Sequence, residues 1–284
     1  MNAHTVSAPS SSNVPARPAD RGHVRRFLSD TRTLAKRNLV HIPRDPVEPA
    51  LALFIPVMLL LLFGTVFGEV MAPPGTSNYT EFLLPGVLAM VMVYGIAGTA
   101  TGIARDVSRD VMARFRSMPM SAPALLSGRA CTDMVRATAE LAVLLPLGFL
   151  LGWTWDSEPA SVAAGLGLLL LFRFAMIWVG ILLGLLARDP DAVAVVVYPL
   201  AFPLSVLSTT FMPPEAMPDW LVPIAEWNPI SPVVEAVRDL FGNPTVGGDS
   251  WVAQHPLLLA VLTPLALIAI CAPLAVYRFR RLSR

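Results

Sequence analysis

Residues 160–187 read ASVAAGLGLLLLFRFAMIWVGILLGLLA, a long stretch in which Arg173 is the only charged side chain. A helix needs about 20 predominantly apolar residues to cross a hydrocarbon core about 30 Å thick. The stretch exceeds that length, and one internal charge does not prevent insertion. It therefore predicts a transmembrane helix and places the chain among membrane proteins.

Five further apolar blocks of near-spanning length lie on either side of this one. The composition agrees, because 55% of the 284 residues are apolar and only 14% are charged, which excludes a soluble enzyme. We predict an all-α polytopic membrane protein whose six transmembrane helices form one domain over residues 49–277. The predicted spans are residues 49–68, 82–104, 131–152, 160–187, 192–211 and 256–277.

Basic residues are distributed unequally between the two sets of connections. The residues before the first span, the second loop, the fourth loop and the C-terminal tail carry nearly all of those that lie outside the spans, whereas the three opposite loops contain only Arg238. Basic residues accumulate on the cytoplasmic side of membrane proteins. Both termini are therefore predicted to lie in the cytoplasm, with the chain crossing the plasma membrane several times.

The N-terminal region divides into two parts before the first span. Residues 1–21 are rich in Ser, Pro and Ala and predict a disordered tail. Residues 22–43 alternate apolar and basic side chains at helical spacing, which predicts an amphipathic helix lying in the membrane interface; a solvated basic tail is the alternative. No apolar stretch near Met1 resembles a cleavable signal peptide. The last residues, 278–284, form a basic cytoplasmic tail.

A charged segment over residues 105–120 is longer than a connection between spans requires. Apolar side chains recur along it at helical spacing, Asp110 and Arg114 stand at the favourable i,i+4 distance, and Pro119 ends the pattern. The pattern predicts a short cytoplasmic helix that docks on a soluble partner, and a membrane-surface anchor is the alternative. The residues expected to carry docking are Arg105, Asp106, Arg109, Asp110, Arg114, Phe115, Met118 and Pro119.

A proline-rich segment over residues 212–238 lies before the last predicted span. Its prolines forbid one continuous helix, and Trp220 and Trp227 favour the boundary between lipid and water. We predict short re-entrant helices folded back into the outer leaflet, with a solvated loop as the alternative. The residues singled out are Met217, Pro218, Trp220, Asn228, Pro229, Ser231, Pro232 and Arg238.

Four charged residues fall inside the predicted spans, and the first of them is Asp133, near the start of the third span. Arg136 and Glu140 stand one turn apart in the third span, and Arg173 lies near the middle of the fourth. A charge in that position is costly, so each side chain should face protein or water and have a partner. Arg136, Glu140 and Arg173 are therefore candidates for the translocation path, and a structural ion pair is the alternative.

The sequence offers no catalytic, cofactor-binding or metal-binding residues. Lys36 is the only lysine, and no Gly-x-x-x-x-Gly-Lys loop surrounds it, so the chain is not expected to bind ATP. Cys131 and Cys271 lack neighbouring ligands at metal spacing. The near balance of acidic and basic residues disfavours nucleic-acid binding.

Taken in order, these fragments resemble the membrane subunit of a type-2 ABC exporter, in particular the daunorubicin-resistance kind found in actinobacteria. The resemblance runs from about residue 27 to residue 281. It is carried by the basic interface helix, the six spans and three short motifs. These are RFRSMPM at 114–120, Met217-Pro218-x-Trp220, and Asn228-Pro229-x-Ser231-Pro232-Val233-Val234 close to Arg238.

The resemblance implies several features that the residues alone do not give. Residues 105–120 would be a coupling helix that docks on a separate ATP-binding subunit, present in two copies and holding ATP and Mg²⁺. A second permease chain, identical or homologous, would complete the path. The cargo would be an amphiphilic drug, secondary metabolite or lipid, and the source an actinobacterium. The rival interpretation is a secondary transporter that is driven by ions and needs no ATPase.

Overall fold

The computed structural model describes residues 47–66, 78–108, 122–187, 189–248 and 250–282. All the regular structure within these ranges is helical. The predicted disordered tail, the predicted interface helix and residues 109–121 of the charged segment lie outside them. The all-α fold is confirmed for the part of the chain that is described.

Nine α-helices follow one another along these ranges. α1 continues directly into a single π-helical turn at Leu62–Val66, and a one-turn 3₁₀ helix at Pro214–Ala216 precedes α6. The helices are α1 Val47–Leu61, α2 Tyr79–Ser108, α3 Ala122–Leu150, α4 Pro159–Leu186, α5 Pro190–Val206, α6 Val222–Glu226, α7 Ser231–Phe241, α8 Trp251–Gln254 and α9 Pro256–Leu282.

Among the described residues, α2, α4 and α9 are each long and apolar enough to cross a bilayer. At a rise of about 1.5 Å per residue, each is about 40 Å long or more. Shorter apolar helices cover Leu53–Val66 and Val195–Val206, and α3 has spanning length but carries four charged side chains. The molecule is thus a polytopic helical membrane protein, and the count of six spans and the cytoplasmic termini stay predictions.

α2 is the central helix of the bundle. It packs against α4 and α5 over much of its length, and α1, α3 and α7 also contact it. Leu83, Leu84, Val87, Leu88 and Met90 are fully buried there, facing several neighbours at once. A helix that is apolar on all sides is one that other elements surround, and α2 fits that description.

Interhelical contacts give the direction of the three longest packed helices. A β-carbon at Gly184 of α4 would lie 2.5 Å from the carbonyl oxygen of Ala100 in α2, and Arg173 reaches the carbonyl of Met92, so α2 and α4 run parallel. Gly148 of α3 lies against Leu84 and Arg129 of α3 lies against Gly102, so α3 runs antiparallel to both. α2 and α4 therefore begin on the side of the bundle where α3 ends, as expected for a chain whose successive helices cross the bilayer in opposite directions.

Two helix limits differ from the predicted spans for identifiable reasons. α3 begins at Ala122 rather than at residue 131, and its charged residue Arg129 is accommodated within the bundle because the guanidinium donates to the carbonyl of Gly98 in α2. α5 ends at Val206 rather than at residue 211. There, the side-chain amide of Asn228 donates to the carbonyl of Leu207 and takes the place of a continuing helical bond.

Candidate functional site

Arg238 is the centre of the proline-rich segment in three dimensions. It lies on α7, none of its surface is exposed, and its guanidinium carbon stands 3.5 Å from the centre of the Phe82 ring. Nε donates to the carbonyl of Phe82 at 3.0 Å, and Nη2 donates to the carbonyls of Thr209 and Thr210 at 2.9 and 3.2 Å. One side chain thus joins α7 to the start of α2 and to the turn after α5.

Glu235 supplies the negative charge that this buried arginine needs. Its Oε1 accepts from Arg238 Nη1 at 2.7 Å, and its Oε2 accepts from the backbone amide of Val246 at 3.0 Å. A buried ion pair is tolerated when both partners also satisfy their remaining donors and acceptors. The pair meets that condition, and we name Arg238, Glu235 and the carbonyls of Phe82, Thr209 and Thr210 the Arg238 site.

Asn228 and Ser231 hold the proline-rich segment against the end of α5. Asn228 Nδ2 donates to the carbonyls of Leu204 and Leu207 at 2.6 and 2.9 Å, while its Oδ1 accepts from the backbone amide of Ile230 at 3.0 Å. The Ser231 hydroxyl donates to Ala225 and accepts from the backbone amide of Thr209. These two predicted residues lie within the same buried network as the Arg238 site.

The remaining predicted residues of the proline-rich segment separate into buried and exposed sets. Met217 and Pro232 are buried, and Pro218 and Pro229 are exposed. Trp220 and Trp227 leave 69% and 72% of their surface exposed, which is compatible with indole rings placed at a lipid–water boundary. The segment therefore has an anchored inner face and an outer face on which two tryptophan rings are exposed.

Arg173 lies in the interior between α2 and α4. It is 2% exposed, and its Nη1 donates to the carbonyls of Val91 and Met92 at 3.4 and 3.2 Å. A β-carbon at Gly95 would overlap its guanidinium, so the glycine leaves the space that the side chain fills. Its Nε has no hydrogen-bond partner among the described residues.

Glu140 faces the same interior from α3. Its Oε1 lies 3.7 Å from Arg136 Nε, which is the predicted pair one turn apart, and its Oε2 has no hydrogen-bond partner among the residues that the structure describes. The three candidate path residues are therefore charged side chains within the bundle of a single chain, with Arg173 and Glu140 buried and Arg136 partly exposed.

A second charged cluster, absent from the predicted site, lies nearer the end of α2. Asp133 Oδ2 accepts from the Thr99 hydroxyl at 2.7 Å and stands 3.4 Å from Arg129 Nε. Arg129 also fills the space beside Gly102. The sequence offered two signals of this cluster: the i,i+4 spacing of Arg129 and Asp133, and two glycines four residues apart, Gly98 and Gly102. A glycine pair of this kind often lets two helices approach closely, and here it makes room for the Arg129 side chain of α3.

The charged segment is described only at its start. Arg105 and Asp106 are exposed and belong to the last turns of α2, which ends at Ser108. The other predicted docking residues lie outside the described ranges, namely Arg109, Asp110, Arg114, Phe115, Met118 and Pro119. Within those ranges, no three His, Cys, Asp or Glu side chains lie close enough together to hold a metal ion.

Comparison with known proteins gives this architecture a family. Residues 29–241 match the family model described as ABC-2 type transporter. The daunorubicin resistance ABC transporter permease protein DrrB1 of Streptomyces coeruleorubidus is 32% identical over 257 residues, which cover 89% of this chain and 87% of that protein.

More distant relatives agree with that assignment. The doxorubicin resistance ABC transporter permease protein DrrB of Mycobacterium tuberculosis is 24% identical over 204 residues, 71% of each chain. The probable multidrug ABC transporter permease YbhR of Escherichia coli is 22% identical over 188 residues, 66% of this chain and 50% of that protein. With a buried helical bundle, a proline-rich segment fixed by Arg238 and a family match over most of its length, this chain belongs to the ABC-2 type transporter family of membrane permeases.

Proposed function

We propose that this chain is the membrane-spanning permease subunit of an ATP-driven exporter in the plasma membrane. The observation that carries the proposal is the family match over residues 29–241, together with relatives whose names describe drug-resistance and multidrug permeases. Its cargo is an amphiphilic drug, secondary metabolite or lipid. Large apolar side chains exposed on α1, α5 and α9 support this cargo class, because they offer surfaces to lipid and to amphiphiles.

The energy comes from a separate protein in this proposal. The chain has one lysine, Lys36, and no phosphate-binding loop around it, so ATP and Mg²⁺ belong to a cytosolic ATP-binding subunit. Two copies of that subunit act on two permease chains, identical or homologous. Closure of the ATP-binding subunits on ATP moves the charged segments and opens the path outward.

The experiment expresses the full-length chain with and without a candidate cytosolic ATP-binding protein. In proteoliposomes, we expect export of an amphiphilic dye and vanadate-sensitive ATP hydrolysis only when both proteins are present. An imposed proton or sodium gradient should not replace ATP. Transport by the chain alone, driven by such a gradient, would instead establish the secondary transporter.

Replacing Phe115 by alanine should weaken docking of the ATP-binding subunit and uncouple hydrolysis from export. Loss of an aromatic anchor at an interface typically costs about 2 kcal/mol, or about thirtyfold in Kd. Reversing Asp110 or Arg114 singly should have the same direction of effect. The measurement is binding of the purified ATP-binding subunit to permease in nanodiscs.

Phe202→Ala is the matched control, since Phe202 is about half exposed on α5 and outside the charged segment. It should bind the subunit like the parent chain and insert equally well. Equal binding by Phe115→Ala, Phe202→Ala and the parent would contradict the docking role.

A further inference from the structure

One flank of α9 is exposed along most of the helix. The other side of α9 packs against α4, α7 and α3, and few residues of its most apolar stretch are buried. Four large side chains on the open flank are about half exposed, namely Leu262, Leu265, Ile270 and Leu274. Leucine and isoleucine are as apolar as lipid tails. The flank is therefore of the kind that acyl chains cover.

The length of this flank places the end of α9 at the level of the lipid headgroups. Leu257 and Tyr277 are 20 residues apart in α9, which corresponds to about 30 Å along a helix and to the thickness of the hydrocarbon core, also about 30 Å. Tyr277 is 56% exposed, and tyrosine favours the boundary between lipid and water. Arg280 and Arg281 follow one turn later, beyond the hydrocarbon.

This end of α9 carries positive charge alone. Arg278, Arg280, Arg281 and Arg284 lie within residues 278–284, and α9 contains no Asp or Glu. Arg280 and Arg281 are exposed. Arg280 stands about five turns after Leu262, and Arg281 about two turns after Leu274, so both continue the exposed flank. We call Arg278, Arg280 and Arg281 the basic end of α9.

Two contacts hold the basic end of α9 in place. Phe279 is 4% exposed and belongs to the buried cluster that contains Ile103 of α2 and Leu185 of α4, so the last turn is packed on the bundle. The guanidinium carbon of Arg281 lies 4.8 Å from the centre of the Tyr277 ring. Stacking uses the face of the guanidinium and leaves its N–H groups able to donate. Among the described residues, no carboxylate forms an ion pair with Arg281.

We propose that the basic end of α9 binds the headgroup of an anionic phospholipid. The planar guanidinium groups donate to the phosphate oxygens, for which their geometry is suited, while the acyl chains lie along the exposed flank. Clusters of basic residues next to a transmembrane helix are typical of proteins that bind anionic lipids. The lipid belongs to the leaflet predicted to be cytoplasmic, and its binding does not depend on ATP-driven export.

The charge and the acyl chains distinguish this ligand from related molecules. A zwitterionic phospholipid has the same phosphate, but its ammonium group cancels the net charge that attracts arginine. A soluble phosphate has the charge, but it makes no contact with the apolar flank. Only an anionic phospholipid satisfies both the guanidinium groups and the side chains below them.

The experiment measures equilibrium binding of fluorescent, acyl-labelled phosphatidylglycerol to the purified full-length chain in micelles of an uncharged detergent. We expect saturable binding that unlabelled phosphatidylglycerol displaces. Phosphatidylcholine should displace it at least tenfold less well, because its headgroup has no net charge. Glycerol 3-phosphate, which has the charge without acyl chains, should not displace it at the same concentration.

Three double variants test the role of the two exposed arginines. Arg280→Gln with Arg281→Gln should weaken binding about thirtyfold, because each basic residue near an anionic surface contributes about fivefold in affinity. Arg280→Lys with Arg281→Lys keeps both charges and should stay within about threefold of the parent. The matched control, Arg17→Gln with Arg21→Gln, removes the same charge from the predicted N-terminal tail and should bind like the parent.

Thermal unfolding separates lipid binding from folding. Because Arg280 and Arg281 are exposed, all three double variants should unfold at the temperature of the parent when no phospholipid is present. A ligand that binds only the folded state stabilises it. Phosphatidylglycerol should therefore raise the unfolding midpoint of the parent and of the tail variant, but not that of the glutamine variant.

Equal phosphatidylglycerol affinity in the parent and the glutamine variant would overturn the proposal. Displacement by glycerol 3-phosphate as strong as by phosphatidylglycerol would also overturn it and would indicate a site for a soluble anion. If the glutamine variant keeps its lipid affinity but no longer binds the cytosolic ATP-binding subunit, the arginines contact that protein instead. The lipid measurements use neither ATP nor that subunit, so their outcome is separate from the test of export.

Discussion

Replacing Arg238 by alanine should destabilise the folded chain by about 3–5 kcal/mol, because it leaves a buried carboxylate without its countercharge. The carboxylate is that of Glu235, which is 6% exposed. The carbonyls of Phe82, Thr209 and Thr210 also lose their donor. In purified full-length chain, the thermal unfolding midpoint should fall by about 6 °C or more.

Two further variants separate the parts of this effect. Arg238→Lys keeps the charge but has a single donor group in place of the planar guanidinium, so its midpoint should lie between those of the parent and the alanine variant. Glu235→Gln in an Arg238→Met background removes the uncompensated charge and should recover part of the loss.

Arg281→Ala is the matched control, because Arg281 also stacks on an aromatic ring, Tyr277, but is exposed. Its effect should be about 1 kcal/mol or less. A midpoint for Arg238→Ala that equals that of Arg281→Ala would show that the Arg238 site does not hold the segment in place.

Replacing Gly184 by alanine should separate α2 from α4. The added β-carbon would lie 2.5 Å from the Ala100 carbonyl oxygen and 2.8 Å from Ile103 Cβ. The first of these atoms is backbone and cannot rotate away, so the helices must move apart, and overpacking of this kind costs about 1–3 kcal/mol. The effect should appear as a lower unfolding midpoint and a lower yield of inserted protein.

Gly167→Ala on the same helix is the control. No atom lies within 4 Å of a β-carbon built at Gly167, and alanine is favoured over glycine in a helix by about 1 kcal/mol. This variant should match or exceed the parent in stability, and the two variants should differ by about 4 °C or more. Equal midpoints for Gly167→Ala and Gly184→Ala would show that close packing of α2 and α4 does not limit stability.

Much of the helical architecture could be predicted from local sequence. Apolar blocks long enough to span a bilayer are properties of consecutive residues, and α2, α4 and α9 coincide with three of the predicted spans. The limits of α3 and α5 were less predictable, because Arg129 and Asn228 obtain their hydrogen-bond partners from elsewhere in the chain. When the sequence does not reveal the hydrogen-bond partner of a charged or polar residue, the predicted span is ended at that residue.

The candidate site shows the same division. Arg238 was recognisable as the only basic residue of the three loops predicted to lie outside the cell, and Glu235 stands three residues before it. Its contact with Phe82, more than 150 residues away, depends on how the bundle closes. Gly180 and Gly184 stand four residues apart within the apolar stretch 160–187, yet only the structure shows that α2 packs against them.

The enclosure of α2 has a consequence for photoaffinity labelling. In the most apolar 18-residue stretch of α2, 83% of the residues are buried within one chain, whereas in that of α9 the share is 17%. In the arrangement described, a drug-sized probe meets α9 along its flank but reaches the buried middle of α2 only when α2 parts from a neighbouring helix such as α3 or α4. A covalent adduct on α2, beside Arg173 or Glu140, would therefore record a transiently opened bundle, and adducts on α9 would record the resting surface.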